Sequence, residues 1–474
     1  MIPLTLAEVA QATGGTLYDT PDPQAPVTGP VVHDSRTVEP GSLYVAVVGE
    51  RVDGHDYAAS AVADGAVAVL ASRPVGVPAV VVEDVLDALA RLARAVTARA
   101  TGTTVIGLTG SAGKTSTKDL IAQLLGRVGS TVFTQGSFNN EIGFPITALR
   151  VEPSTRFLVL EMGARGKGHI AELTAITPPR IGLVLNVGTA HIGEFGGREA
   201  IAEAKGELVE SLTAEGVAVL NADDPLVRAM ASRTKARVVW FGESEQAHVR
   251  AQDVRLDASG RARFTLVAPG GSAPVALRLY GEHHVSNALG AAAVALECGL
   301  GVAETAAALG EAGSLSRWRM ELTERPDGVT VINDAYNANP DSMRAALRAL
   351  AAIGGRGPGA RRTWAVLGEM RELGEDSLDE HDAVGRLAVR LNITTLVAVG
   401  GREAACMELG ARNEGSWGEE SVLVSNADAA IGLLREQVGP GDVVLVKASR
   451  SVGLERVAEA LLADVPGAVD GASS

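Results

Sequence analysis

The sequence predicts an α/β protein of three domains, and three observations support this prediction. The chain has 474 residues, which at about 150 residues per domain corresponds to three domains. Apolar runs typical of buried strands alternate with helical patterns along most of the chain. A glycine-rich turn at 110–115 lies between a strand-like run and a helical pattern that we place from about Lys118. We therefore expect a small N-terminal α/β domain (1–100), a central P-loop-type domain with a mainly parallel sheet (101–315) and a C-terminal Rossmann-like α/β domain (316–474).

The first segment begins with a predicted helix. Thr5 is in the position of its N-cap, and Glu8 is in the position that completes a capping box. Short apolar runs predict strands at 43–48, 67–70 and 79–82, and a pattern rich in Ala, Leu and Arg predicts a helix at 85–100.

The central segment carries four buried-strand runs with helical patterns between most of them. These runs are Phe157–Glu161, 181–187, Val217–Asn221 and 238–241. The residues 248–280 alternate short strands with Gly and Pro turns, so we expect a small antiparallel addition followed by a helix at 286–297.

The last segment restarts the alternation of strands and helices, with predicted strands at 329–333, 364–367, 396–399 and Val443–Lys447. It lacks a G-x-G-x-x-G motif, so we do not infer a dinucleotide cofactor.

Composition narrows the class of protein. The formal net charge is −15, which disfavours nucleic acid and anionic membrane as partners of a broad surface. There is no run of about 18 apolar residues, so we expect no membrane insertion. The two cysteines, Cys298 and Cys406, form no C-x-x-C pair, and we expect reduced thiols in a cytoplasmic protein.

The glycine-rich turn is the strongest functional signal in the chain. Backbone N–H groups of such a turn and the following helix N-terminus favour phosphate, Lys114 adds a full charge, and Thr115 offers a hydroxyl to Mg²⁺. Leu108 stands where the common G-x-x-x-x-G-K-[ST] motif has its first glycine. The alternative is a plain turn from strand to helix, which we disfavour because it gives no reason for Lys followed by Thr. The predicted nucleotide-binding residues of the turn are Gly110, Ser111, Ala112, Gly113, Lys114, Thr115 and Ser116.

Three further residues of the central segment are candidates for chemistry. Glu161 and His191 follow two predicted strands, at the sheet edge where α/β proteins place ligands, and either could serve a metal. The alternatives are a solvated strand end and a satisfied loop histidine; the phosphate-binding turn in the same segment favours function. Lys205 lies on a predicted helix with no carboxylate three or four residues away, and composition alone favours a solvated lysine.

In the last segment, Asp334 ends a strand and could accept hydrogen bonds from ribose hydroxyls. The alternative for this polar region is helix capping by Asn339 or Asp341, and both can hold at once. Arg317 and Arg319 lie at the domain junction, where a guanidinium could bind phosphate.

Several motifs together resemble those of the Mur ligase family. The short G-x-x-G-K-T at 110–115 is similar to the form that this family uses. Further matching strings are Asp34-Ser35-Arg36, 40–46, 49–55, Asn139-Asn140-Glu141-Ile142-Gly143-Phe144-Pro145, Gly281-Glu282-His283-His284-Val285-Ser286-Asn287, Asp334 to Pro340, 367–374 and Lys447-Ala448-Ser449-Arg450-Ser451. The family often has G-N before the 139–145 string, where this chain has Gly136-Ser137-Phe138.

The resemblance implies an ATP- and Mg²⁺-dependent amide ligase that works through an acyl phosphate. The string Tyr336 to Pro340 favours a member that joins D-alanyl-D-alanine to UDP-N-acetylmuramoyl-tripeptide in peptidoglycan precursor synthesis. By position, Lys114, His191 and Lys205 would be catalytic, Lys205 as a carbamate; Thr115, Glu161 and His191 would serve Mg²⁺; Asn287, Arg319 and Asp334 would hold ATP; and Ser35, Arg36, Asn139, Asn140, Asn337, Lys447, Ser449 and Arg450 would face the substrate.

We expect the protein to be a monomer. Three alternatives to this function remain. Another ligase of the family, including the folylpolyglutamate type, would add a single amino acid and would differ in the N-terminal motif and at 336–340. A GTPase switch would need an N-K-x-D motif, which the sequence lacks. A non-catalytic nucleotide-binding protein would be expected to lack Glu161, His191 or Lys205.

Overall fold

Three main β-sheets, each with its own helices, organise the chain. A computed structural model describes residues 1–49, 51–189, 192–355, 357–416 and 418–463, and within these ranges the side chains of Ile192, Glu194 and Glu419 are not described. His191 therefore lies outside the described residues. The predicted fold class is confirmed: each part is α/β, and parallel pairing dominates all three sheets.

The N-terminal part is built on a five-stranded sheet of order β2-β7-β6-β5-β4 and a separate β1-β3 pair. Only β2 runs antiparallel in the larger sheet. Its elements are β1 (Leu4–Thr5), α1 (Leu6–Thr13), β2 (Thr16–Tyr18), β3 (Pro26–Val27), β4 (Val31–Val32), β5 (Leu43–Val45), α2 (Ala58–Ala63), β6 (Ala68–Ala71), β7 (Ala79–Val81) and α3 (Val85–Arg99).

The central part is built on a nine-stranded sheet of order β16-β15-β14-β13-β12-β11-β8-β10-β9. The strands from β13 to β9 in this order are parallel, and β14 to β16 form the predicted antiparallel addition. Its strands are β8 (Thr104–Thr109), β9 (Thr131–Phe133), β10 (Phe157–Glu161), β11 (Ile181–Val184), β12 (Val217–Asn221), β13 (Arg237–Gly242), β14 (Val249–Leu256), β15 (Arg261–Ala268) and β16 (Gly271–Tyr280). Its helices are α4 (Lys114–Leu125), α5 (Gly143–Ala148), α6 (His169–Ile176), α7 (Ile192–Phe195), α8 (Arg198–Glu210), α9 (Pro225–Ala229), α10 (His284–Glu297) and α11 (Val302–Glu311).

The C-terminal part has a six-stranded sheet of order β17-β18-β22-β19-β20-β21, in which only β17 is antiparallel. Its elements are β17 (Glu321–Glu324), β18 (Thr330–Asn333), α12 (Pro340–Gly354), β19 (Thr363–Gly368), α13 (Ser377–Arg390), β20 (Thr395–Val399), α14 (Arg402–Glu414), β21 (Ser421–Val424), α15 (Ala427–Gln437), β22 (Val443–Lys447) and α16 (Glu455–Ala463). The domain boundaries at 100 and 315 stay a prediction.

Local signals explain several element ends. Thr5 and Glu8 form the expected capping box at α1, and Asn339 caps α12. The expected start of α4 near Lys118 is wrong, since the helix begins at Lys114. Gly113 has φ +82° and turns the chain directly into the helix, so the Thr and Ser residues of the first turn are helical despite their modest propensity. Two strands are shorter than expected by three residues each: β5 ends at Val45 and β11 at Val184.

The hydrophobic cores show how the parts are joined. One continuous core runs from the N-terminal part into one face of the central sheet, and α3 packs on α5 across this junction. A second core covers the other face of the central sheet under α4, α10 and α11. The two faces of the C-terminal sheet have separate cores. The first two parts therefore share a core, whereas the third is packed largely on itself.

In the ranges that the structure describes, no helix combines the length and the apolar character that a membrane crossing requires. Cys298 and Cys406 are both free.

Candidate active site

The glycine-rich turn joins the C-terminal end of β8, which lies between β11 and β10 in the nine-stranded sheet, to α4. Two of its glycines are required by close packing. A Cβ on Gly113 would lie 2.3 Å from Asn287 Oδ1, and a Cβ on Gly110 would lie 2.9 Å from the Cβ of Leu185. The turn therefore packs closely between α10 and the chain that follows β11, and neither glycine could carry a side chain there.

Asn186, which follows β11, holds the turn through three hydrogen bonds. This residue was not identified from the sequence. Ala112 N donates to Asn186 Oδ1 over 2.9 Å, and Asn186 Nδ2 donates to Ala112 O over 3.1 Å. The backbone N of Ser111 also donates to Asn186 O, over 3.2 Å. The available signal was a polar residue directly after an apolar run that ends at the same sheet edge.

The Lys114 ammonium folds back over the turn, where Nζ donates to Gly110 O over 2.8 Å. Burial lowers the pKa of Lys114, while the nearby Glu161 carboxylate raises it and Arg319 lowers it. The three side chains thus lie within electrostatic reach of one another, although they come from different elements.

Thr115 is the point where three segments meet. Its Oγ1 lies 3.0 Å from Ser137 Oγ, and Arg319 Nη2 donates to both hydroxyls, over 3.2 Å to Thr115 and 3.0 Å to Ser137. The Arg319 guanidinium is stacked on the Tyr336 ring, 4.3 Å from its centre. Arg319 belongs to the C-terminal part, so the two parts are in contact at the phosphate-binding turn.

Glu161 ends β10 beside this meeting point and is almost fully buried. Asn139 Nδ2 donates to Glu161 Oε1 over 2.7 Å. Among the described residues, Glu161 Oε2 has no hydrogen-bond partner. A buried carboxylate oxygen without a donor is an acceptor suited to a cation.

Lys205 is buried on α8, with 5% of its surface exposed, so the expectation of a solvated lysine is wrong. Its helix is covered because Glu207 accepts from Gly168 N over 2.6 Å and from Ala171 N over 3.0 Å at the start of α6. Burial, and then the nearby charge of Lys114, hold the pKa of Lys205 well below its usual range.

Asp334 directly follows β18 and forms a buried ion pair with Lys447 at the end of β22. Lys447 Nζ lies 2.6 Å from Asp334 Oδ2 and donates to Asn337 O over 2.8 Å. Asp334 Oδ1 accepts from Met320 N over 3.1 Å. Helix α12 is capped by Asn339. Through its hydrogen bond from Met320 N, Asp334 instead holds the segment that carries Arg319.

Asn287, His283 and His284, at the start of α10, border the phosphate-binding turn on one side. Asn287 is buried and lies 3.4 Å from His284 Nδ1. The rings of His283 and His284 are 4.2 Å apart. Burial lowers the pKa of His283 to about 4, although Asp334 raises it, so this residue faces the C-terminal part as a neutral ring.

The remaining predicted site residues are engaged in local contacts. No hydrogen bond or ion pair among the described residues joins Ser35 or Arg36 to the phosphate-binding turn, and the exposed Arg36 side chain is paired with Asp34 at 2.7 Å. Asn140 Oδ1 accepts from Gly143 N at α5, and Asn337 Oδ1 accepts from Ala338 N. Ser449 Oγ accepts from Arg371 N. The Arg450 guanidinium is stacked on the Trp318 ring and forms an ion pair with Glu455.

Within the described ranges, no three His, Cys, Asp or Glu side chains converge as a metal cluster. The unpartnered oxygen of Glu161 and the Thr115 hydroxyl nevertheless fit a hard cation next to a bound phosphate. The fold and this site define the class of P-loop nucleotide-dependent proteins in which a C-terminal α/β domain contacts the phosphate-binding turn.

Three family descriptions match the chain in order. These are the Mur ligase family catalytic domain at residues 30–97, the Mur ligase middle domain at 108–295 and the Mur ligase glutamate ligase domain at 318–450. The chain belongs to the Mur ligase family.

Similar proteins cover the chain from end to end. The UDP-N-acetylmuramoyl-tripeptide–D-alanyl-D-alanine ligase of Mycobacterium leprae is 53% identical, over 98% of this chain and 99% of that protein. The enzyme of the same name from Escherichia coli is 35% identical, over 97% and 99%. The MurF structure from Acinetobacter baumannii has a TM-score of 0.86 at 32% identity, covering 98% and 99%. The MurF ligase of Thermotoga maritima in complex with ADP has a TM-score of 0.78 at 32% identity, covering 92% and 98%.

Proposed function

We propose that this chain is an ATP-dependent ligase that joins D-alanyl-D-alanine to UDP-N-acetylmuramoyl-tripeptide in peptidoglycan precursor synthesis. The observation that carries the proposal is the meeting at Thr115 of the phosphate-binding turn, Ser137 and Arg319, next to the unpartnered oxygen of Glu161. The relatives with this name match almost the whole chain, which favours dipeptide addition over addition of a single amino acid.

The reaction must make a carboxylate reactive. The terminal carboxylate of the tripeptide attacks the γ-phosphorus of ATP, ADP leaves, and an acyl phosphate forms. The free amine of the dipeptide then attacks the carbonyl carbon, phosphate leaves, the nitrogen gives up a proton, and an amide remains.

The residues of the turn would hold the triphosphate throughout. The amides of 113–116 at the N-terminus of α4 would face the phosphates, whereas those of Ser111 and Ala112 hold the turn on Asn186. Lys114 would exchange Gly110 O for a phosphate oxygen and spread the charge of the transferring group. Asn287 would border the nucleoside from α10, and Arg319 and Asp334 would bring the C-terminal part onto it.

Thr115 and Glu161 would hold Mg²⁺, together with His191 if the resemblance extends to that residue. The bound ion would neutralise charge on the phosphates. Asn139 would orient the Glu161 carboxylate through the hydrogen bond to Oε1. Closure of the C-terminal part on the turn would exclude water, which hydrolyses an acyl phosphate.

Lys205 fits the carbamate that the family resemblance implies. It is buried, and its depressed pKa favours the neutral, nucleophilic form of the amine. The remaining substrate-binding assignments, Ser35, Arg36, Asn139, Asn140, Asn337, Lys447, Ser449 and Arg450, rest on the resemblance. The ammonium of Lys447 is engaged by Asp334, so we expect it to act by holding that carboxylate.

Phosphate release from ATP by the purified protein tests the proposal. We expect release only when UDP-N-acetylmuramoyl-tripeptide and D-alanyl-D-alanine are both present, with one amide formed for each phosphate released. Release with a single amino acid in place of the dipeptide would identify another ligase of the family, and release without either acceptor would contradict ligation.

The variant Lys114→Ala tests the phosphate-binding turn. We expect loss of ligation by at least about a thousandfold with an unchanged melting temperature, because the charge acts mainly on the transferring phosphoryl group. Lys167→Ala is the matched control, since that lysine of the same part is exposed and paired only at the surface with Glu203. Normal turnover of Lys114→Ala would remove this lysine from the mechanism.

We infer a cytoplasmic location, which ATP and nucleotide-linked sugar as substrates and two free cysteines support. A monomer is the expected assembly.

A further inference from the structure

Lys118 and Asp119 form a buried ion pair one turn after Lys114, and the proposed reaction gives neither a role. Lys118 Nζ lies 2.7 Å from Asp119 Oδ1, and the two side chains are 0% and 3% exposed. Burial of two charges costs more than their attraction returns unless further hydrogen bonds satisfy them. The partners of this pair therefore indicate what it holds in place.

The first partner is the turn after β9. Lys118 Nζ donates to Thr134 O over 2.7 Å and to Gly136 O over 3.1 Å. The next residue is Ser137, whose hydroxyl contacts Thr115. One ammonium therefore fixes the backbone that presents Ser137.

The second partner is the linker between α11 and β17. Ser316 N donates to Asp119 Oδ2 over 2.9 Å, Ser316 Oγ donates to Asp119 Oδ1 over 3.1 Å, and Lys118 Nζ donates to Ser316 Oγ over 3.3 Å. Three residues further on is Arg319, which is flanked by Trp318 at φ 59° and Met320 at φ 51°. Left-handed residues on both sides leave Arg319 little freedom, so a fixed Ser316 also fixes the guanidinium.

We propose that Lys118, with Asp119, is a positioning residue of the nucleotide site. It holds Ser137 and Arg319, the two side chains that contact the Thr115 hydroxyl, at one fixed distance from the phosphate-binding turn. The inference rests on the proposed function for the nature of the nucleotide. Beyond that function, the inference assigns the positions of Ser137 and Arg319 to the Lys118–Asp119 pair, which itself contacts neither the nucleotide nor the metal.

The first test compares Lys118→Met with Gln123→Leu. Methionine keeps the length of the side chain without its charge. Gln123 lies one turn further along α4, donates to the backbone O of Asp119 in its own helix, and binds the backbone of the linker at Gly313 without touching either charged group. We expect Lys118→Met to lower kcat/KM for ATP by about a hundredfold and to weaken Mg·ADP binding, measured by calorimetry, by about tenfold. Gln123→Leu should change both by less than about threefold, with a similar shift in melting temperature.

The second test asks whether Lys118 acts through Ser137. We expect the losses of ADP affinity in Lys118→Met and Ser137→Ala to be strongly non-additive in the double variant, since one residue positions the other. Ser316→Ala, which leaves no buried charge unpaired, should lower ADP affinity about threefold and serves if Lys118→Met does not fold.

Wild-type ligation is measured first, so failure of the proposed function would be seen independently of the variants. Equal losses in Lys118→Met and Gln123→Leu, additive losses with Ser137→Ala, or unchanged ADP affinity in Ser316→Ala would each overturn the positioning role.

Discussion

The buried surroundings of Lys205 make the amine of this side chain more reactive than that of an exposed lysine. Burial lowers its pKa well below the usual range, which favours the neutral amine, the form that can attack CO₂. A nitrogen–carbon bond then forms, one proton is released, and the product is an anion. Such an anion would be attracted to the nearby charge of Lys114, which repels the protonated amine.

We predict a carbamate on Lys205 that depends on bicarbonate. With ¹³C-labelled bicarbonate, the wild-type protein should give a carbamate resonance that Lys205→Met lacks. Lys235→Met, at an exposed lysine, is the control and should retain the resonance. Removal of CO₂ should lower kcat, and more strongly at lower pH, because protonation of the amine competes with carbamate formation. A wild-type spectrum without the resonance, with activity indifferent to CO₂, would contradict the prediction.

At the residue scale, the sequence locates side chains where a motif carries its own geometry and does not where distant segments supply the environment. The position of Lys114 and Thr115 after the turn follows from the glycines alone, and their roles stay a prediction. The burial of Lys205 depends on Glu207 and the start of α6, which spacing along α8 does not reveal. Asn186 was missed for the same reason, since its partners lie 74 positions earlier in the chain.

At the scale of elements, the phosphate-binding turn is determined by what packs against it. Asn186 holds it on one side and Asn287 on the other, so the loop is fixed before any nucleotide binds. A preformed loop does not lose conformational freedom on binding, which favours affinity.

We predict that Gly113→Ala loses nucleotide binding. The residue has φ +82°, and its Cβ would lie 2.3 Å from Asn287 Oδ1, so the loop or α10 must move. We expect stability to fall by about 1–3 kcal/mol and Mg·ADP binding by more than about tenfold. Gly102→Ala is the matched control, because a Cβ there meets nothing within 4 Å. Chemical unfolding and calorimetry measure the two effects, and equal behaviour of both variants would contradict the account.

The elements themselves were largely predictable. Buried strands such as Phe157–Glu161 and Val443–Lys447 have continuous apolar runs, and the structure has them at these bounds. Errors lie at element ends. The start of α4 was misplaced because Gly113 and the packing of the loop override the low propensity of the residues that follow.

At the scale of the whole molecule, the N-terminal and central parts share one core, while the C-terminal part meets the site through polar and backbone contacts. Asp341 Oδ2 accepts from Thr189 N over 2.9 Å and from Thr189 Oγ1 over 3.3 Å. Arg319 provides further contacts, at Thr115 and Ser137. The fold class was predictable from the alternation of strands and helices, but these contacts join residues far apart in the sequence and were not.

We predict that Asp341→Ala loosens the C-terminal part without unfolding it. Loss of both hydrogen bonds to Thr189 should increase the radius of gyration in solution scattering and lower kcat/KM for ATP by about tenfold. The control is Asp379→Ala, at an exposed carboxylate on the next helix of the same part. An unchanged radius together with normal kinetics would show that Asp341 does not hold the two parts together.

The backbone of Gly374 lies directly against Gly193: a Cβ on Gly193 would come within 2.4 Å of Gly374 N. The two backbones are in direct contact here, and the gap between them does not admit a methyl group. Any side chain at position 193 would therefore force these two segments of the chain apart.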